Sequence, residues 1–255
     1  VATQLKAVIF DVDGTLAETE RNGHRIAFNR AFLDAGLDWN WDEALYGKLL
    51  AVTDGKERIR YFLTDFNSDF KYDGDMDQFI VDLHVSKNKH YVDLIENQVI
   101  SLRPGIRRMM NGLRCAGLRM AIATTTAPAN VSALIKSTLG EEALEWFDCI
   151  AAGDIVSEKK PAPDVFNYCL EQIGLSAEEC LAFEGSGNGV KSSVGAKIST
   201  IVTLNDYTKE DDFSGACGVL THLGDIDEPC QVLSGEAIEG DYLTVNDLIS
   251  IHAKG

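Results

Sequence analysis

The chain has 255 residues, of which 45% are hydrophobic and 25% charged, the balance of a folded globular protein rather than a disordered one. With 23 Lys and Arg against 40 Asp and Glu, the net charge of −17 repels nucleic acid and anionic lipid, so no partner of either kind is expected. No apolar run reaches the roughly 20 residues of a membrane helix, and the expected chain is soluble.

The six cysteines (Cys115, Cys149, Cys169, Cys180, Cys217, Cys230) contain no Cys-x-x-Cys pair and do not cluster with histidine at zinc spacing. They read as reduced, mostly buried thiols in a reducing compartment. A redox pair between Cys217 and Cys230 is the lesser alternative. A first residue Val1 in place of Met is expected of a trimmed or processed chain.

Residues 5–10, Leu-Lys-Ala-Val-Ile-Phe, form an apolar run suited to a strand buried on both faces, and it runs directly into Asp11-Val12-Asp13-Gly14-Thr15. From about 20 to 98 the texture changes to long, charged, weakly amphipathic stretches without a β-branched run, which predicts a helical insert. After Arg103-Pro104-Gly105, the spacing of Ile106, Met109, Met110 and Leu113 lines one helical face, and Gly117 stops it. Strands are then expected at 118–123, near 149–152, at 180–183 and at 199–203. Helices are expected near 128–139, 163–173 and 187–196. This alternation predicts an α/β fold with a parallel sheet covered on both faces. Residues 205–240, rich in Asp, Gly and Glu, show little pattern, and a last helix is expected near 245–253.

Four predicted strand ends carry chemistry: Asp11 with Asp13, Thr124, Lys160 before Pro161, and Glu184 before Gly185-Ser186. Loops at the carboxyl ends of neighbouring parallel strands converge. Two acids, a hydroxyl, a lysine and a third acid in one pocket can hold a divalent cation and a phosphate. Singly, each piece has a plain structural role: Asp-x-Asp-Gly-Thr is turn chemistry, Thr124 a strand-end residue, Lys160 a solvated loop lysine. Four in succession are hard to obtain by accident.

Asp11-Val12-Asp13-Gly14-Thr15-Leu16, Thr124, Lys160-Pro161-Ala162-Pro163-Asp164 and Glu184-Gly185-Ser186 resemble the four motifs of the haloacid dehalogenase superfamily, in order over nearly the whole chain. Ala17-Glu18-Thr19-Glu20, His24-Arg25, Gly55-Lys56-Glu57-Arg58, Leu102-Arg103-Pro104-Gly105 and Ala121–Thr126 are similar to its CbbY-type sugar-bisphosphate phosphatases. The resemblance implies a Rossmann-like core over 1–18 and 99–255 with a helical C1-type cap over 19–98. It implies Mg²⁺-dependent hydrolysis of a small phosphosugar such as xylulose 1,5-bisphosphate, by a monomer of the cytoplasm or plastid stroma.

The same resemblance assigns roles. Asp11 is the nucleophile and Asp13 the general acid and base, while Thr124 and Lys160 bind the transferring oxygens. Asp11, Asp13 through its main-chain carbonyl, and Glu184 hold Mg²⁺. Lys56 and Arg58 take the second phosphate; they also read as an exposed helix face paired with Glu57 and Asp54. Glu18 and His24 take sugar hydroxyls, Thr125 lies beside the phosphate, and Asn130 contacts substrate or opens a helix. Lys159 is expected to face solvent.

One position departs from the pattern. The branch places an Asp that ligates Mg²⁺ where this chain has Gly185. Three readings stay open: Glu184 turns inward or ligates through water, Asp154 or Glu158 substitutes, or the chain binds substrate without turnover. A β-phosphoglucomutase-like mutase shares the motif set and is the rival activity. A dehalogenase needs neither an acid placed like Asp13 nor Mg²⁺ and is disfavoured.

Overall fold

The computed structural model describes residues 3–97 and 99–254. Its centre is a seven-stranded sheet in the order β3-β2-β1-β4-β5-β6-β7. The strands are β1 (Ala7–Phe10), β2 (Arg119–Ala123), β3 (Cys149–Ala151), β4 (Cys180–Glu184), β5 (Ser199–Thr203), β6 (Gly218–Leu220) and β7 (Val232–Gly235). All neighbours run parallel except β6 and β7.

The period-2 alternation of the central strands sorts side chains by size. Val8, Phe10, Met120, Ile122, Leu181 and Phe183 enter one core layer, while Ala7, Ile9, Ala121, Ala123, Cys180 and Ala182 enter the other. The bulky layer is completed by α5 (Ile106–Cys115), α6 (Pro128–Leu139) and α9 (Val245–Lys254). The small-residue layer is filled by α7 (Asp164–Ile173), whose Val165, Phe166, Cys169 and Ile173 are buried. The stripe Ile106, Met109, Met110 and Leu113 on α5 is buried as its spacing predicts. Gly105, just before it, has φ of 81°, and a Cβ there would lie 2.2 Å from the Gly224 carbonyl oxygen, so only glycine fits.

Between β1 and β2 the described residues form helices and no strand. A π-helical turn (Glu20–His24) leads into α1 (Arg25–Asp34), α2 (Glu43–Leu49), α3 (Gly55–Asp65) and α4 (Met76–Glu96). They close on an aromatic core of their own: Phe28, Phe32, Trp41, Tyr46 and Phe62 with Leu49, Ile59, Ile80 and Leu83. Trp39 packs edge-on against Phe32 and Phe62.

Residues 205–240, without legible pattern in the sequence, hold β6 and β7. A three-residue strand and a largely exposed edge strand are too short to generate an alternation that can be read. No helix among the described residues is long and apolar enough to cross a membrane.

Candidate active site

The sheet order explains why the four motif ends meet. β1 is flanked by β2 on one side and β4 on the other, so Asp11, Thr124 and Glu184 emerge side by side at the switch point. Lys160 arrives from the loop after β3. Its Nζ donates to Asp11 Oδ1 at 2.8 Å, Glu184 Oε1 at 2.6 Å and the Ala123 carbonyl at 2.9 Å. The Thr15 hydroxyl donates to Asp11 Oδ2 at 2.9 Å, so both oxygens of Asp11 are engaged. Phe166 of α7 lies beneath the ammonium, 5.1 Å from ring centroid to Nζ.

Three ionisable groups share this dry floor. Burial, with Asp11 close by, pushes Glu184 up to about 8. Burial also raises Asp11, opposed by Lys160. For Lys160 burial works against the charged form, but Asp11 and Glu184 more than offset it and hold the ammonium above its ordinary value. Gly189 makes room for this arrangement: a Cβ there would lie 1.8 Å from Glu184 Oε2.

Asp13 faces a different set of neighbours. Thr19 donates to its Oδ1 at 2.6 Å, Thr126 donates to Oδ2, and His24 Nε2 lies 2.8 Å from Oδ1. Burial works against the carboxylate, yet His24, Thr126 and Thr19 outweigh it and hold Asp13 well below the usual carboxylate range. His24 stacks on Tyr91 at 4.1 Å, and its Nδ1 sits 2.8 Å from Lys87 Nζ. Lys87, 4% exposed on α4, is driven down to about 8, first by burial.

A cavity of about 540 Å³ opens over these groups, lined by Asp11, Asp13, Thr124, Thr125 and Lys160 from the sheet and by Glu20, Thr53 and Arg58 from the helical insert. A recess of about 50 Å³ continues past Asp13 and is lined by His24, Arg58, Lys87, Asn88, Thr125 and Asn130. Thr124 is 1% exposed, and its hydroxyl accepts from the Thr126 amide at 3.2 Å.

Glu18 and Lys56 are not among the residues lining either space. The Glu18 carboxylate lies 2.8 Å from Arg103 Nε, and that guanidinium also donates to the carbonyls of Gly14, Thr203, Leu204 and Thr221. Lys56 pairs with Asp154 at 3.0 Å. Arg58 is buried, not a solvated face: it donates to the Tyr46 hydroxyl at 2.8 Å and to the Val52 carbonyl at 3.2 Å. Lys159, expected in solvent, folds back onto the Gly153 carbonyl and Asp154.

Several lining residues were not singled out from the sequence. Glu20 and Thr126 stand inside runs that were read, one or two positions from the residues chosen. Lys87 continues the buried stripe Leu83, Tyr91, Leu94 of α4, and a lysine on that stripe is the signal that could have found it. Asn205, Asp211 and Asp212 come from the segment without pattern; Asn205 donates to the Gly185 carbonyl at 3.0 Å, and Asp211 accepts from the Gly187 amide at 2.7 Å.

Mg²⁺ takes oxygen donors, typically one or two carboxylates with phosphate and water completing the shell. Of the acids at this sheet edge, Asp11 and Asp13 line the cavity, whereas Glu184 is fully buried, lines neither space and accepts from Lys160 Nζ at 2.6 Å and from the Gly185 amide at 3.2 Å. Among the described residues no group of three or more His, Cys, Asp and Glu is arranged to hold a metal ion. The oxygen donors facing the cavity match the one or two carboxylates that a hard divalent cation takes from protein, not an all-protein cage. Gly185 adds no side-chain oxygen, and a Cβ there would lie 2.8 Å from Thr15 Oγ1 and 2.9 Å from the Gly14 carbonyl oxygen. Asp154, one of the two acids left open as a substitute ligand, is an exposed carboxylate bridging Lys56 and Lys159. Glu158 is exposed and lines neither space.

Residues 5–196 match the family model of haloacid dehalogenase-like hydrolases. The chain belongs to that family. It is 44% identical over 225 residues to Protein CbbY, plasmid, of Cupriavidus necator, covering 88% of each chain. Protein CbbY of Rhodobacter capsulatus is 46% identical over 213 residues, 84% of this chain and 91% of that one. These identities place the chain in the CbbY branch of the family. Among solved structures, a mutant of CbbY from Rhodobacter sphaeroides in complex with xylulose-(1,5)bisphosphate superposes with a TM-score of 0.80 at 42% identity, covering 88% of this chain and 98% of that one. A β-phosphoglucomutase from Clostridium difficile, at 19% identity and a TM-score of 0.63, shares the fold.

Proposed function

We propose that this hydrolase removes a phosphoryl group from a small sugar bisphosphate, xylulose 1,5-bisphosphate being the first candidate. The observation that carries the reading is Asp11 held 2.8 Å from a buried Lys160, with Asp13 two residues on in a separate environment that keeps it ionised. The crystal complex of the R. sphaeroides relative with that bisphosphate supports the choice of sugar.

Asp11 attacks phosphorus to form an aspartyl phosphate, and the sugar alkoxide leaves with a proton from Asp13. Water then attacks the aspartyl phosphate, Asp13 takes its proton, and inorganic phosphate leaves with Asp11 restored. Asp13 is ionised in the empty site, so the proton it passes to the alkoxide enters with the substrate's phosphate monoanion, and the proton it takes from water leaves with inorganic phosphate; its ionised resting state suits the base role. Lys160, Thr124 and adjacent amides meet the negative charge of the transferring oxygens. Mg²⁺ would be held by Asp11 and the Asp13 carbonyl, with Glu184 acting through water, and would supply further charge neutralisation when bound.

The helical insert acts as the cap over the site. Arg58, with its fixed fork of donors, takes the second phosphate, and Lys56 adds a more distant positive charge. His24, Asn130, Thr125 and Glu20 face the sugar hydroxyls, while Glu18 acts from its place on Arg103. The test is phosphate release from a panel of sugar mono- and bisphosphates with Mg²⁺ titrated. One phosphate per bisphosphate is expected, with turnover reduced roughly 10⁴-fold or more in Asp11→Asn. Isomerised sugar phosphate without free phosphate, or binding without release at saturating Mg²⁺, would overturn the reading.

A further inference from the structure

Outside the candidate active site, among the described residues, one pair of thiols is in contact. Cys149 opens β3 and Cys169 lies on α7, and their sulfurs are 3.8 Å apart. Among the described residues no other cysteine pair shows such a contact, Cys217 and Cys230 included. A disulfide requires about 2.05 Å, so less than 2 Å of approach separates the thiols from a bond.

The two partners differ in access. Cys149 is half-buried and open to a reagent, whereas Cys169 is fully buried and donates to the Ile122 carbonyl at 3.1 Å. Contact with Cys169 lowers the Cys149 thiol, and the same contact together with burial raises Cys169. Access makes Cys149 the attacking member, and contact at 3.8 Å, not acidity, makes Cys169 the resolving one.

The position gives the bond a consequence. Residues 149 and 169 bracket the loop that carries Lys160. Phe166, one turn before Cys169 on the buried side of α7, is the ring on which the Lys160 ammonium rests. Drawing α7 toward β3 moves that support beneath the group that pins Asp11.

We propose that Cys149 and Cys169 form a reversible thiol–disulfide site that restrains the Lys160 loop and lowers turnover when oxidised. The oxidant is a low-molecular-weight disulfide. The Cys149 thiolate attacks one of its sulfurs, forming a mixed disulfide and expelling one thiolate. Cys169 then attacks Cys149 Sγ, expelling the second thiolate, which takes the Cys169 proton. The small disulfide is reduced by two electrons to two thiols, and the protein is oxidised by the same two.

Whole enzyme is incubated with glutathione disulfide, and thiols are counted after unfolding. In a Cys115→Ser background, which removes the one exposed thiol, five free thiols are expected to fall to three, with a Cys149–Cys169 cross-linked peptide that dithiothreitol removes. Cys149→Ser is expected to keep its other thiols and its reduced-state activity. Cys169→Ala is expected to stop at one glutathione on Cys149. The effect on turnover rests on the Asp11–Lys160 reading: kcat is expected to drop at least tenfold on oxidation and return on reduction, since a displacement of about 1 Å is costly in such sites. Five thiols persisting in that background, or a cross-link elsewhere, overturns the site. A confirmed cross-link with unchanged kcat overturns the restraint. A reduced enzyme without phosphatase activity refutes the functional reading and leaves the thiol chemistry standing.

Discussion

The floor around Asp11 and the seam around Asp13 lie two residues apart and are built from different parts of the molecule. At the floor every partner comes from the sheet and its loops: Lys160, Glu184 and Thr15, all buried, with the lysine between two carboxylates. At the seam two of the partners, His24 and Lys87, come from the helices between β1 and β2. The side-chain contacts of the first environment use no residue of the helical insert, whose Thr53 reaches only the Lys160 carbonyl, at 2.6 Å. The second exists only while the insert lies against the sheet. Asp11 is thus held by the sheet and its loops, and Asp13 partly by the helices that follow β1.

The comparison breaks most visibly at Lys160. Lys160→Met leaves Asp11 and Glu184 facing each other without a cation, and loss of one partner of a buried pair costs about 3–5 kcal/mol. Chemical denaturation is expected to show that loss, and a stability within 1 kcal/mol of wild type would mean the floor does not depend on its lysine.

The seam is sharpened by pH. The pKa of Lys87 is driven down to about 8 from the 10.5 of an unfolded lysine, so the unfolded chain binds that proton more tightly. Its unfavourable contribution is fully present below pH 8 and is relieved as pH rises from 8 toward 10.5, by up to about 3 kcal/mol. Denaturation curves across this window are expected to show a positive slope that Lys87→Met flattens.

Gly185→Asp tests the floor from the side of metal. The new Cβ crowds Thr15 Oγ1 and the Gly14 carbonyl, for a stability loss of about 1–3 kcal/mol. The added oxygen donor is expected to lower the half-saturating Mg²⁺ concentration for phosphate release. An unchanged metal titration in a folded variant would show that the position does not govern metal binding. The smallest effect belongs to Lys56→Ala. Its pair with Asp154 is partly exposed, and removal is expected to shift stability by under about 1 kcal/mol and to raise KM less than Arg58→Ala does.

The core was legible because each central strand is a dense apolar run ending in a polar motif, as at Phe10-Asp11 and Phe183-Glu184, and because α5 carries a clean buried stripe. The seam was less legible. Nothing in local spacing shows that Lys87 would meet His24 across 63 positions of chain. Glu18 and Glu20 are equivalent by composition, and only the π-helical turn decides which faces the cavity. Asn205 and Asp211 were hidden in a segment whose strands are too short to leave a period. The contact of Cys149 with Cys169 follows from the packing of α7 on β3, which no cysteine count supplies.

Arg103 binds five carbonyl or carboxylate groups, and its own amide donates to the Leu16 carbonyl at 2.8 Å, while Ala17 bridges to Leu102. Both passages of the chain between helices and sheet are therefore riveted together at their base. The first element beyond that rivet is the π-helical turn Glu20–His24. That turn ends on the histidine that touches Asp13, so the seating of the helices and the environment of Asp13 are tied through one side chain.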